Sequence, residues 1–170
     1  DGSPERRLPA PGGRRPDTGT SGARSALEPQ RPNHDKRDGS NDRSDDYGGS
    51  LQNRARLLLE IVDATSAVMG AGRVSVRISP LVPYNDMRDS NPEALVEHVA
   101  RELDRRKIGF FELRHADFRD PAEQRLAQIA RREFHGPLFV NGGYDQASAA
   151  AAVASGNVDA VVFGKPFLSN

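Results

Sequence analysis

From Leu51 onward, short β-branched runs alternate with helical stretches, and that alternation admits few folds. Leu57, Leu58, Ile61, Val62 and Val68 mark one face of a helix over about Gln52 to Met69, capped by Ser50. Arg73 to Ser79 reads as a buried strand closed by Pro80. Asn91 caps a second helix with Pro92 at its first position, and Leu95, Val99 and Leu103 follow down to about Lys107. Ile108 to Leu113 is a strand, and Asp120-Pro-Ala-Glu123 reads as a capping box opening a helix that holds Leu126, Ile129 and Phe134. Pro137 to Asn141 is a strand, Asp145 caps an Ala-rich helix running to about Ser155, and Val158 to Phe163 is the last strand. Four strands separated by helices predict parallel pairing through right-handed crossovers. Alternation alone leaves open whether the sheet is doubly wound or part of a closed barrel. At 170 residues the chain is too short for a complete (β/α)8 barrel of roughly 250.

The region before Leu51 is different in kind. Asp1 to about Arg37 holds six of the 12 prolines, many Arg and Gly, and almost no large apolar residue. Such a stretch buries too little to offset the entropy of ordering, so it reads as a disordered tail. Nothing aromatic interleaves its arginines, which argues against nucleic-acid binding. Lys plus Arg equals Asp plus Glu at 24 each, so net charge names no polyanionic or membrane partner. The absence of cysteine excludes disulfides, thiolate metal sites and a cysteine nucleophile. No apolar run approaches the ~18 residues of a membrane span, and no signal-peptide core opens the chain, so a cytoplasmic protein is expected. The first residue is Asp rather than Met, as in a fragment or a processed product.

Specific segments separate the two folds. Arg37 to Arg54, RDGSNDRSDDYGGSLQNR, resembles the segment after the fourth barrel strand of the Old Yellow Enzyme family of FMN-dependent NAD(P)H oxidoreductases. Three more segments agree with that family in order: Val76-Arg-Ile-Ser-Pro80 with Asn85-Asp-Met87, then Val140-Asn-Gly-Gly-Tyr-Asp145, then Ala160-Val-Val-Phe-Gly-Lys-Pro-Phe167. The resemblance covers about Arg37 to Asn170. It implies strands five to eight of a TIM barrel, with residues 38–170 as the C-terminal half of an FMN-binding domain.

In such barrels the loops after strands seven and eight commonly bind phosphate. Asn141, Gly142 and Gly143 end one strand, and Gly164 and Lys165 end the next. Glycine lets backbone N–H groups approach an anion, and a following helix adds a favourable dipole. The family usually carries Arg where Lys165 stands, so a point charge replaces a bidentate fork. Arg77 matches the family arginine beside the flavin pyrimidine ring, where it stabilises negative charge on the reduced cofactor. Read without the resemblance, Arg77 is a barrel-end ion pair.

The family's substrate-activating His pair (or His and Asn) and its proton-donating Tyr precede the RDGSN segment. Here that place reads Pro32-Asn-His-Asp-Lys36, which does not match, and His34 reads as an exposed tail histidine. His98, His115 and His135 are not spaced as metal ligands or as a base beside a nucleophile. Asp45 with Asp46, and Glu112 with Arg114, read as solvated or paired charges. No catalytic residue and no metal site is assigned.

The family's activity would be hydride transfer from NAD(P)H through FMN to the β-carbon of an activated alkene, with Tyr protonating the α-carbon. Only the cofactor-holding part maps onto this chain, so activity alone is expected to be weak or absent. The alternative is a non-catalytic half-barrel that self-associates, for instance as a homodimer, or pairs with a partner. A frameshift or recombination in a GC-rich gene would account for the Arg/Pro/Gly-rich stretch in place of the missing half.

Overall fold

The computed structural model describes residues 41–84 and 87–168, without the side chains at 165 and 166. The expected disordered tail, His34, Arg37 and Asn85 lie outside the described residues. The elements run α1 (Leu51–Met69), a 3₁₀ turn (Ala71–Arg73), β1 (Ser75–Ile78), α2 (Pro92–Arg106), β2 (Phe110–Arg114), α3 (Pro121–Glu133), β3 (Leu138–Asn141), α4 (Gln146–Ala154), β4 (Ala160–Val161) and α5 (Lys165–Leu168).

Each main helix starts where a side chain satisfies a free backbone N–H. Ser50 accepts from Asn53, Asn91 from Ala94, Asp120 from Ala122 and Asp145 from Ser148. Pro at the first position of α2 and α3 loses no intrahelical bond. The expected box at Asp120 is not closed. Glu123 reaches back instead to the Ala116 N–H at 2.8 Å, tying the loop after β2 to α3. Asp145 and Ser148 form the reciprocal box.

The strands pair in the order β1-β2-β3-β4, every pair parallel. Sequential order with right-handed crossovers places the intervening helices on one face, as in a segment of a barrel; a doubly wound sheet would reverse its order and use both faces. Val76, Phe111, Leu113, Leu138 and Val140 point to that face and pack with Val96, Val99, Leu103, Leu126 and Ile129 from α2 and α3. The opposite face carries Ser75, Arg77, Phe110, Glu112, Arg114, Phe139 and Asn141. The Phe110 and Phe139 rings stack there at 4.6 Å.

Two expectations need correction. α1 buries Ala55, Leu59 and Val62, whereas Leu57, Ile61 and Val68 are 56%, 55% and 86% exposed. At 100° per residue the apolar positions fall into two stripes, and only one meets α2 and the sheet. The last strand is two residues, not six. Beyond Ala160 and Val161, only the bonds from Asp159 N to Leu138 O and from Val162 N to Val140 O extend the ladder. No helix among the described residues is long and apolar enough to cross a membrane.

Candidate functional site

Parallel pairing brings the C-terminal ends of the strands to one rim. Register sets Arg77 beside Glu112 and Arg114 beside Asn141. With a side-chain period of two, all four share the face away from the helices. The Arg77 Nε lies 3.2 Å from Glu112 Oε1, and its Nη2 donates to Asn141 Oδ1 at 3.4 Å. Asn141 Nδ2 in turn donates to the Val162 carbonyl at 2.6 Å. A polar chain thus runs from β1 to β3 and ends on the residue that follows β4. Arg77 is half exposed and ion-paired, so the barrel-end pair expected from the bare sequence is present at the position expected to face a flavin.

The loops after β3 and β4 open onto a cleft of about 460 Å³. Asn141, Gly142 and Gly143 line one side and Val162, Phe163 and Gly164 the other. Gly142 and Gly143 have φ of +124° and +78°, which side chains disfavour. A Cβ at Gly142 would lie 2.2 Å from the His115 carbonyl oxygen, so glycine is required for the β3 loop to sit on the β2 loop. At Gly164 a Cβ would meet no heavy atom within 4 Å, so that wall faces open space. Among the described residues no carboxylate side chain lines the cleft, and Arg114 does.

The dipole expected from the following helices is not free. The first turn of α4 is already capped by the Asp145 carboxylate, which its Ser148 hydrogen bonds hold below the usual carboxylate range. α5 has four residues. Lys165 opens α5, and its side chain lies outside those described.

His115 is buried rather than in an open loop. It and Glu123 are both 2% exposed, with Nδ1 and Oε2 3.8 Å apart. Burial pushes the imidazole down to about 4, so it is uncharged at neutral pH, and burial pushes the Glu123 carboxyl up. Neither His115 nitrogen has a hydrogen-bond partner among the described residues. Tyr144 meets its ring edge-on at 6.4 Å and stacks on Phe118 at 4.1 Å. Glu123, His115, Phe118 and Tyr144 therefore hold the β2 loop against the β3 loop. Continuing the alternation Phe111, Leu113 one step would have placed His115 on the helix-covered face. Arg114, read with Glu112 as a solvated or paired charge, instead lines the cleft, because β2 runs one residue beyond the expected end at Leu113 and Glu112 pairs with Arg77.

The other charged groups are structural. Arg54 of the RDGSN-to-QNR segment donates to Gly49 O at 3.0 Å and pairs with Asp89 at 3.2 Å, both side chains largely buried. Asp45 is exposed and pairs with Arg43. His135 is exposed beside Asp104, and His98 is half-buried on α2. No group of three or more potential metal ligands occurs among the described residues.

Residues 36–170 match the NADH:flavin oxidoreductase / NADH oxidase family. The chain is 44% identical over 131 residues to a "Probable flavin mononucleotide-dependent alkene reductase" of Leishmania infantum, covering 77% of this chain and 36% of that protein. It is 38% identical over 140 residues to 12-oxophytodienoate reductase 1 of Oryza sativa subsp. japonica, covering 79% and 37%. Among solved structures, the old yellow enzyme homologue from Zymomonas mobilis superposes with a TM-score of 0.73 at 34% identity, covering 79% of this chain and 39% of that one. Morphinone reductase does so at 0.71 and 38% identity, covering 76% and 35%. The chain thus spans well under half the length of these relatives. With its motifs, its one-faced parallel sheet and these similarities, the chain belongs to the NADH:flavin oxidoreductase / NADH oxidase family, the Old Yellow Enzyme family.

Proposed function

We propose that residues 38–170 are strands five to eight of an FMN-binding TIM barrel and that the cleft between the β3 and β4 loops receives the FMN phosphate. The observation that carries this reading is a glycine-walled cleft free of carboxylates, built from Asn141, Gly142, Gly143 and Gly164 in a chain of a flavin oxidoreductase family. These residues fit the group: the space at Gly164 is open, and Gly143, whose Cβ would have 3.7 Å clearance, leaves backbone N–H groups accessible. Lys165 supplies a cation at the second loop. Arg77, steadied by Glu112 and Asn141, places positive charge at the rim where the flavin ring would lie. Bound FMN would supply hydride transfer from NAD(P)H to an activated alkene.

No described residue matches by motif the family's proton donor or its substrate-activating pair. His115 is buried on the helix side of the sheet, and His98 and His135 sit on the outer helices and loops. The chain therefore holds cofactor but turns over poorly by itself. Two observations favour the alternative of a self-associating half-barrel as its working state: among the described residues no helix covers the sheet face bearing Phe110 and Phe139, and Leu57, Ile61 and Val68 form an exposed apolar stripe on α1. Two copies would bury both. Gel filtration with FMN, followed by flavin absorbance, tests the cofactor reading. Co-elution with the chain supports it, and a colourless chain after soaking contradicts it.

A further inference from the structure

The cleft draws charge from a side chain that the family resemblance did not assign. Arg114 closes β2, pairs in register with Asn141, and lines the cleft together with Gly142, Gly143 and Gly164. The other arginine on this sheet face is committed: Arg77 pairs with Glu112. Among the described residues Arg114 forms no close ion pair and donates no hydrogen bond, although its charge also acts on the buried Glu123 carboxyl. Its guanidinium lies instead 5.1 Å from the centroid of the Tyr84 ring. An aromatic face attracts a cation through its quadrupole and uses none of its N–H donors. A half-buried guanidinium with unused donors, beside a cleft that contains no carboxylate, has the chemistry of an anion ligand.

We propose that Arg114 is a phosphate-binding residue of this cleft, supplying from β2 the planar fork that lysine at position 165 does not offer. The proposal rests on the reading that FMN phosphate occupies the cleft. It places the bidentate cation on the strand beside Asn141 rather than on the loop after β4. Tyr84 would preorganise the side chain, so that little rotamer freedom remains to be lost on binding.

The test compares FMN with riboflavin, which lacks the phosphate, in fluorescence titrations of the full chain and its R114Q and R114K variants. R114Q is expected to weaken FMN by about tenfold or more, the loss of a charge-assisted contact, while leaving riboflavin unchanged. R114K is expected to recover part of the loss. Equal weakening of both flavins would mean that Arg114 only pins the Tyr84 loop, and unchanged FMN affinity in R114Q would mean that the phosphate lies elsewhere; either overturns the proposal. If the unmodified chain binds FMN no more tightly than riboflavin, the phosphate reading falls and Arg114 with it. A wild-type preference for FMN that survives in R114Q removes Arg114 alone.

Discussion

Replacing Gly142 with alanine should unfold this domain far more readily than replacing Gly164, although both glycines border the same cleft. At Gly142 the new Cβ would stand 2.2 Å from the His115 carbonyl oxygen and 2.8 Å from its carbon, on a backbone with φ of +124°. Backbone atoms cannot swing aside. The loops are tied here by His115 N to Asn141 O at 2.7 Å and by Phe118 N to Gly142 O at 3.3 Å. The unfavourable φ costs ~1–3 kcal/mol. Separating the loops would weaken those two hydrogen bonds, at ~1 kcal/mol each. A loss of about 3 kcal/mol or more is a large share of the ~5–15 kcal/mol that holds a typical domain. At Gly164 the Cβ meets nothing within 4 Å and φ is not in the left-handed region, so G164A should keep its stability. Its methyl enters the cleft, so FMN binding should weaken. Urea unfolding followed by circular dichroism, with FMN titration of each variant, gives both readouts. A midpoint loss below about 1 kcal/mol for G142A, or equal destabilisation by G164A, would refute the packing argument.

Other expectations follow from the same contacts. His115 titrates near 4 in the folded chain and near 6.5 when unfolded, so its contribution is complete above pH 6.5 and is lost as pH falls toward 4. The loss approaches ~3 kcal/mol, with the raised Glu123 offsetting part because it takes up its proton more readily when folded. Urea midpoints from pH 7 to 4 should flatten in H115Q, and an unchanged slope would contradict the assignment. K165R should tighten FMN, because a fork replaces a point charge; titration showing no change, where wild-type binding is measurable, counts against Lys165 as a ligand. NADPH oxidation with an enone should not exceed that of free FMN, and substrate-dependent turnover well above it would show that a proton donor had been overlooked.

Much of the fold could be read from residues whose effect is local. Ser50, Asn91, Asp120 and Asp145 act within three residues of themselves, and all four cap their helices as expected. What escaped depends on the partner across space. Two apolar stripes on α1 look like one until α2 selects Leu59 and Val62 over Leu57 and Ile61. Glu123 has the spacing of a capping box, yet the Ala116 N–H, seven residues away, takes its carboxylate. β4 is shorter than expected because its pairing with β3 is limited to Ala160 and Val161, a register that the sequence does not display. In the site, the Asn141-Gly142-Gly143 and Gly164 loops do meet at one cleft, as their strand-end positions imply. The pairing of Arg77 with Glu112 and the placement of Arg114 on the cleft and against the Tyr84 ring needed the strand register, which the sequence leaves undetermined.

Phosphorus NMR of FMN titrated with the purified chain tests most directly whether the β3 and β4 loops hold the phosphate. The account predicts that the phosphorus resonance shifts and broadens as chain is added, and that G164A, with its fold intact, reduces the effect at equal concentration. A resonance that stays at its free position while the flavin ring fluorescence is quenched would place the phosphate outside the cleft and contradict the account.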